Sequence, residues 1–253
     1  MEVIDEGKYV RGEITARREV ADGLAIWRVR LDGGSIPFRP GQYVAMGLPL
    51  GDRMLERPYS ICSAPSEPEL EFFIELVPGG ALTSRLFALP PGGAVYLRRA
   101  AKGRFLLDPG VRRHLMVASV TGAAPFVSIL RDLSRRGESP ARVVLVHSAS
   151  TPGELGYDQE LTTLSQACSW FSYVPTISRP WLAPEWPGER GRAEDIVRKH
   201  ADREELLPGR ATVYCCGNPR MIRNVKAVME RAGFAGESVR EEMYWAPRVK
   251  SCD

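Results

Sequence analysis

The strongest constraint on this 253-residue chain is a change of sequence pattern near residue 109. Before it, strand-like runs at 9–15, 25–31, 42–46, 59–63, 70–77 and 94–98 are separated by turns such as Asp32-Gly33-Gly34 and Pro78-Gly79-Gly80. A short helix is expected at 82–89, apolar at Leu82, Leu86 and Leu89. Short strands at this spacing predict a small antiparallel barrel. After Asp108-Pro109-Gly110, strand-like runs at 114–119, 143–147, 170–177 and 212–215 alternate with helix-like runs at 125–134, 154–166, 194–200 and 219–231. That alternation predicts a parallel sheet of βαβ units. The expected architecture is therefore an N-terminal antiparallel β-barrel domain over 1–109 and an open parallel-sheet α/β domain over 110–253. A ligand site is expected where two such halves meet.

Composition narrows the functions such a fold could serve. At 44% hydrophobic and 26% charged residues, the chain has an ordinary globular balance. A net charge of +3 gives no reason to expect nucleic-acid binding. The acidic start, Met1 to Glu6, has no apolar signal core. The apolar stretch 114–130 is too short and too polar to span a bilayer. Cys62, Cys168, Cys215, Cys216 and Cys252 show neither zinc nor iron–sulfur spacing. The expectation is a cytoplasmic monomer without metal or membrane contact, which would need an organic cofactor to handle electrons. Only five of the 34 positive residues are lysines, leaving 29 arginines, the side chain suited to bidentate phosphate recognition.

Four stretches carry chemistry. Arg57-Pro58-Tyr59-Ser60 offers a guanidinium fork, an aromatic face and a small hydroxyl along one extended segment. Gly79-Gly80-Ala81-Leu82-Thr83 leads into a helix whose first amides can meet an anion. Thr121-Gly122-Ala123-Ala124-Pro125-Phe126 follows the first strand of the α/β half, where open parallel sheets accept nucleotides. With a single glycine it is neither a dinucleotide fingerprint nor a P-loop. Tyr214-Cys215-Cys216-Gly217-Asn218-Pro219 ends the last long strand, which places Cys216 on the same rim as Thr121. Cys215 reads as a packing cysteine and Cys216 as an exposed rim residue. His114, His147 and His200 have no partner legible in the sequence.

Together with Pro40-Gly41-Gln42, these stretches resemble, in order and spacing, the ferredoxin–NADP reductases. The bacterial members, with a near-terminal Tyr-Trp, are the nearest likeness; here that pair is Tyr244-Trp245. The resemblance implies FAD and NADP(H) as cofactors and ferredoxin or flavodoxin as transient one-electron partners. It puts Arg57 on the FAD diphosphate and Tyr59 and Ser60 near the flavin ring. The backbone of Gly80, Ala81 and Leu82, with the Thr83 hydroxyl, would meet the diphosphate. Thr121 would lie between flavin and nicotinamide, with Gly122, Cys216, Gly217 and Asn218 on the nicotinamide side. Arg179 and Arg192 match family arginines that bind the NADP 2′-phosphate. Trp245 would stack on FAD beside Tyr244. The residues implied to touch the reacting groups are Ser60, Thr121 and Cys216.

Three departures stand out. Val120 occupies the first glycine position of the family's G-T-G loop, and a β-branched residue resists positive φ. Either a conventional backbone or a slightly shifted nucleotide is therefore expected there. Ser150 stands where bacterial members often place a phosphate-binding arginine, and residues 246–253 continue past where those members stop. The same motifs also suit a reductase component of an oxygenase, a free-flavin or quinone reductase, or a flavin-binding subunit of a larger electron-transfer complex.

Overall fold

The computed structural model describes residues 5–244. In the first half, β1 (Tyr9–Ala21), β2 (Leu24–Leu31), β3 (Tyr43–Leu50), β4 (Arg53–Ser60), β5 (Leu70–Glu75) and β6 (Ala94–Arg98) form one antiparallel sheet, with α1 (Thr83–Phe87) between the last two. The strand order is β4-β3-β6-β1-β2-β5, and an Ile61–Phe72 bridge brings its two ends together. Closure removes the exposed edges that an open sheet of this kind would present. Inward residues such as Ile14, Trp27, Met46, Phe72 and Leu97 fill the interior. The sequence placed the fourth strand at 59–63, whereas β4 runs from Arg53 to Ser60. Its Arg53, Arg57 and Pro58 are exposed, so the apolar alternation that would mark the strand is missing.

In the second half, β7 (Arg113–Ser119), β8 (Arg142–Ala149), β9 (Phe171–Ile177), β10 (Glu189–Arg190), β11 (Thr212–Gly217) and β12 (Val239–Met243) form a parallel sheet ordered β10-β9-β8-β7-β11-β12. Helices α2 (Ala124–Arg136), α3 (Asp158–Ala167), α4 (Ala193–Arg203) and α5 (Pro219–Arg231) cover it. Met116 and Ala118 of β7 join one core cluster while Leu115 and Val117 join another, so this strand is buried on both faces. Neither β10 nor β12 was expected as a strand. With two and five residues they carry too little periodicity to be read.

The halves share a core. Leu24, Ile26, Phe73 and Phe105 of the barrel pack with Phe126, Ile129 and Leu130 of α2. A polar clamp lies beside them. Arg131 of α2 meets Glu71 of β5 at 2.9 Å and Glu160 of α3 at 2.6 Å, and the Tyr157 hydroxyl donates to Glu71 at 2.9 Å. The Ser128 hydroxyl donates to the Ser63 carbonyl at 2.7 Å. Among the described residues no helix is long and apolar enough to cross a membrane.

Candidate functional site

The carboxyl ends of β7 and β11 lie side by side, with Cys216 in register with Ala118. Their following loops meet backbone to backbone. A Cβ on Gly122 would stand 2.6 Å from the Cys216 carbonyl carbon and 2.9 Å from the Gly217 Cα. One on Gly217, whose φ is +117°, would stand 2.9 Å from the Ser119 carbonyl oxygen. Only glycine allows this approach at either place. The Asn218 amide donates to the Ser119 hydroxyl at 2.8 Å, and the Asn218 side chain caps α5 by accepting from the Arg220 and Met221 amides. Thr121-Gly122 and Cys216-Gly217-Asn218 thus form one continuous rim.

β12 supplies a third wall. The Tyr244 amide donates to the Gly217 carbonyl at 2.9 Å. Glu242 and Tyr244, two residues apart on extended chain, point to the same side, and both reach across the seam to the end of β4. The Tyr244 hydroxyl donates to Ser60 Oγ at 2.8 Å, and Ser60 donates to a Glu242 carboxylate oxygen at 2.8 Å. Burial pushes the Glu242 carboxyl up, with the Ser60 bond pulling the other way. Burial raises the Tyr244 phenol well above its usual value, with Cys216 and Glu242 adding to it. The Cys216 thiol is raised by burial first and by Glu242 second. Cys216 is fully buried, not the exposed rim residue expected, because β12 covers the side of β11 that the sequence left open. A neutral buried thiol is a poor nucleophile, so its part here is packing beside Tyr244.

Glu242 was not anticipated from the sequence. Its only local sign is a Glu-x-Tyr spacing, and the adjacent Glu241 is indistinguishable from it without the strand register.

Farther out along the sheet edge, the Arg179 amide donates to the Ser150 carbonyl at 3.0 Å, and the Gly191 amide to the Ile177 carbonyl at 2.9 Å. Ser150, Arg179 and Arg192 therefore gather at adjacent strand ends. Both guanidinium groups are exposed, and neither makes an ion pair among the described residues. Such a pair of unmatched forks suits a phosphate.

On the barrel, Arg57 is exposed, and among the described residues its guanidinium meets only the Glu56 carbonyl, at 2.8 Å. Tyr59 is half-buried, and burial pushes its hydroxyl up to about 12. The amides of Ala81 and Leu82 make no hydrogen bond among the described residues, and Ala81 is exposed. The Thr83 hydroxyl instead accepts from the Val77 amide at 3.1 Å, so it closes its own loop rather than facing outward. An exposed guanidinium, two amides without a partner among the described residues and an aromatic face fit a dinucleotide with a flat ring. Trp245 and residues 246–253 lie outside the described residues.

Two further expectations need correction. Val120 adopts φ +45° despite its β-branch. Two of the histidines do have partners: His147 bonds Val120 and Tyr173, and His200 bonds Glu189 at 2.9 Å.

Comparison with known proteins gives the likeness of the two halves. Residues 11–106 match the oxidoreductase FAD-binding domain, and residues 116–227 the oxidoreductase NAD-binding domain. The chain is 30% identical over 230 residues to the flavodoxin/ferredoxin–NADP reductase of Escherichia coli, covering 86% of this chain and 88% of that protein. It is also 30% identical over 239 residues to the reductase component of phenol 2-monooxygenase from a Pseudomonas species, covering 93% and 66%. A ferredoxin NADP+ reductase from Neisseria gonorrhoeae, solved with bound FAD and NADP, superposes with a TM-score of 0.84 at 25% identity, covering 95% of this chain and all of that one.

Proposed function

Because the chain belongs to the ferredoxin–NADP reductase family of FAD-dependent oxidoreductases, we propose that it moves electrons between NADPH and a small one-electron carrier, ferredoxin or flavodoxin. The observation that carries this reading is the seam where Ser60, Glu242 and Tyr244 from opposite halves close around the Thr121 and Cys216 loops. Bound FAD would supply the change from a two-electron hydride to single electrons.

The chain's own residues then have distinct tasks. Arg57 and the Ala81 and Leu82 amides hold a diphosphate, while Tyr59 offers a ring face beside it. Ser60 Oγ accepts from Tyr244 and donates to Glu242, and Glu242, whose raised pKa lets it hold a proton, is the group that could supply one through Ser60. The backbone contact of Gly122 with Cys216 and Gly217 keeps the rim narrow and dry, which favours direct transfer over reaction with water. Arg179 and Arg192 favour a nucleotide that carries a 2′-phosphate, so NADPH is preferred to NADH even with Ser150 in place of a third arginine.

The carrier would dock on the barrel side. Arg11 and Arg17 are already paired, with Asp32 at 2.8 Å and Glu19 at 2.7 Å, and Arg98 is paired with Glu56. Among the described residues Arg104 makes no ion pair, Arg18 reaches the Gly156 carbonyl and Arg99 the Glu6 carbonyl, so these three are the better candidates to meet an acidic partner. The likeness to a phenol monooxygenase reductase component supports a second reading, in which the electrons pass to an oxygenase.

Anaerobic titration tests the first step. A yellow protein whose flavin is bleached faster by NADPH than by NADH is expected, and a flavin indifferent to both would overturn the proposal. Steady-state turnover with ferredoxin, flavodoxin, free FMN and quinone then separates the carrier reading from the others.

A further inference from the structure

Val120 is strained and yet held. Among the described residues only Val120 and Glu205 are non-glycine residues with positive φ. For a β-branched side chain that conformation is a true outlier, and outliers persist only where surrounding groups over-determine them. The group that does so here is His147. It lies on β8 in register with Ala118 of β7, fully buried, and its Nε2 sits 3.0 Å from the Val120 carbonyl oxygen. A carbonyl can only accept, so Nε2 carries the hydrogen. The opposite nitrogen, Nδ1, is then an acceptor, and the Tyr173 hydroxyl of β9 donates to it at 3.2 Å. Two neighbouring strands thus fix one ring in one tautomer, aimed at one carbonyl.

We propose that His147 is a positioning residue for the nucleotide loop: its Nε2–H holds the Val120 carbonyl so that a valine keeps a left-handed backbone and Thr121-Gly122 stays packed on Cys216-Gly217. A glycine at this position would take that backbone unaided. The proposal rests on reading the Thr121-Gly122 rim as the nicotinamide site, and the test separates the two.

The experiment uses FAD-loaded protein in five forms: wild type, His147→Leu, His147→Gln, Val120→Gly and the double variant Val120→Gly/His147→Leu. NADP+ affinity is read from the flavin difference spectrum. Backbone amide exchange over residues 119–124 is read without nucleotide. His147→Leu, which lacks a donor, is expected to weaken NADP+ about tenfold, the worth of one lost buried hydrogen bond, and to speed exchange in the loop. His147→Gln, which keeps a side-chain N–H, should restore most of both. In the Val120→Gly background, removing the histidine should cost less than about twofold. Equal losses from Leu and Gln, or an equal loss in both backgrounds, would show that His147 only fills the core and would overturn the proposal. If NADP+ leaves the wild-type spectrum unchanged while exchange still rises in His147→Leu alone, the loop-holding role stands and the nicotinamide assignment falls.

Discussion

The seam and the outer rim of this molecule are built on opposite principles. At the seam, Tyr244 and Glu242 are both hydrogen-bonded to Ser60 across the two halves, and Ser60 is buried. At the rim, Arg179 and Arg192 stand exposed without a carboxylate among the described residues. Groups that must be in place at the moment of reaction are pre-ordered, because reorganisation then would raise the barrier. Groups that recognise a phosphate are left unmatched, because an internal partner would compete with the ligand. The seam should therefore govern rate and the rim should govern affinity.

The sharpest test of that division is Ser60→Ala. Removing the hydroxyl between Tyr244 and Glu242 is expected to lower the rate of flavin reduction by NADPH by about 10²–10⁴-fold, the range for losing a positioned proton-transfer group. Stopped-flow reduction at saturating NADPH reads it, and nucleotide affinity should change little. A variant that binds NADPH poorly but reduces at the wild-type rate would break the comparison. The rim gives the mirror image. Arg179→Ala and Arg192→Ala should each raise the KM for NADPH about ten- to a hundredfold, as loss of charged hydrogen bonds does. The KM for NADH and the kcat should stay near wild type. Equal effects on the two nucleotides would remove the 2′-phosphate from this rim.

The two regions also differed in how far the sequence disclosed them. The rim arginines could be named only through the family resemblance, although the apolar run 170–177 before Arg179 marks the strand end it follows. The general architecture was legible directly: Gly-Pro turns punctuate the barrel, and helix-length apolar patterns alternate with strands in the second half. At the seam, Ser60 and Tyr244 were named through the resemblance, but Glu242 and the contact among the three were not, since they lie some 180 positions apart. Ser60 sits at the end of an edge strand with a polar face, and Glu242 on a five-residue strand whose register decides which of two adjacent glutamates turns inward. The same strand covers Cys216, which explains why a residue at a sheet edge proved buried. Val120 failed for a different reason, because local propensity was overridden by a hydrogen bond from the neighbouring strand.

A smaller effect concerns acid, and it separates the α/β half from the barrel. His147 and His114 are both held down to about 4 by burial. Around His147 stand the Val120 carbonyl and the Tyr173 hydroxyl, and around His114 stand Asp108, which raises it, and Arg240, which lowers it. Both histidines belong to the parallel sheet. In the unfolded chain each would titrate near 6.5, so between about 6.5 and 4 the unfolded state binds the extra protons. Stability is then fully present above about 6.5 and is lost as the pH falls toward 4, by on the order of 3 kcal/mol per histidine at most. Thermal melts from pH 7.5 to 4.5 should show the second half softening first, read by exchange in β7 and β8 against β1 and β2. Simultaneous loss would mean that the Arg131 clamp makes the halves one cooperative unit.

The smallest expected effect returns to the seam. Glu242 has a raised pKa, so as pH climbs past the ordinary carboxylate value the unfolded chain ionises first and the fold keeps its proton. Folding stability therefore declines through that window and levels off above the folded value. Glu242→Gln removes the titration while keeping an acceptor for Ser60, so in flavin-free protein it should melt slightly higher than wild type at neutral pH and equal to it near pH 4. The same variant should reduce flavin more slowly, because an amide cannot give up a proton to the Ser60 hydroxyl. A gain in melting temperature together with a loss of rate is what a pre-ordered site predicts, since the carboxylate is kept at a cost to the fold. A variant that melts lower at neutral pH would mean that the Ser60–Glu242 bond stabilises the seam more than burial strains it.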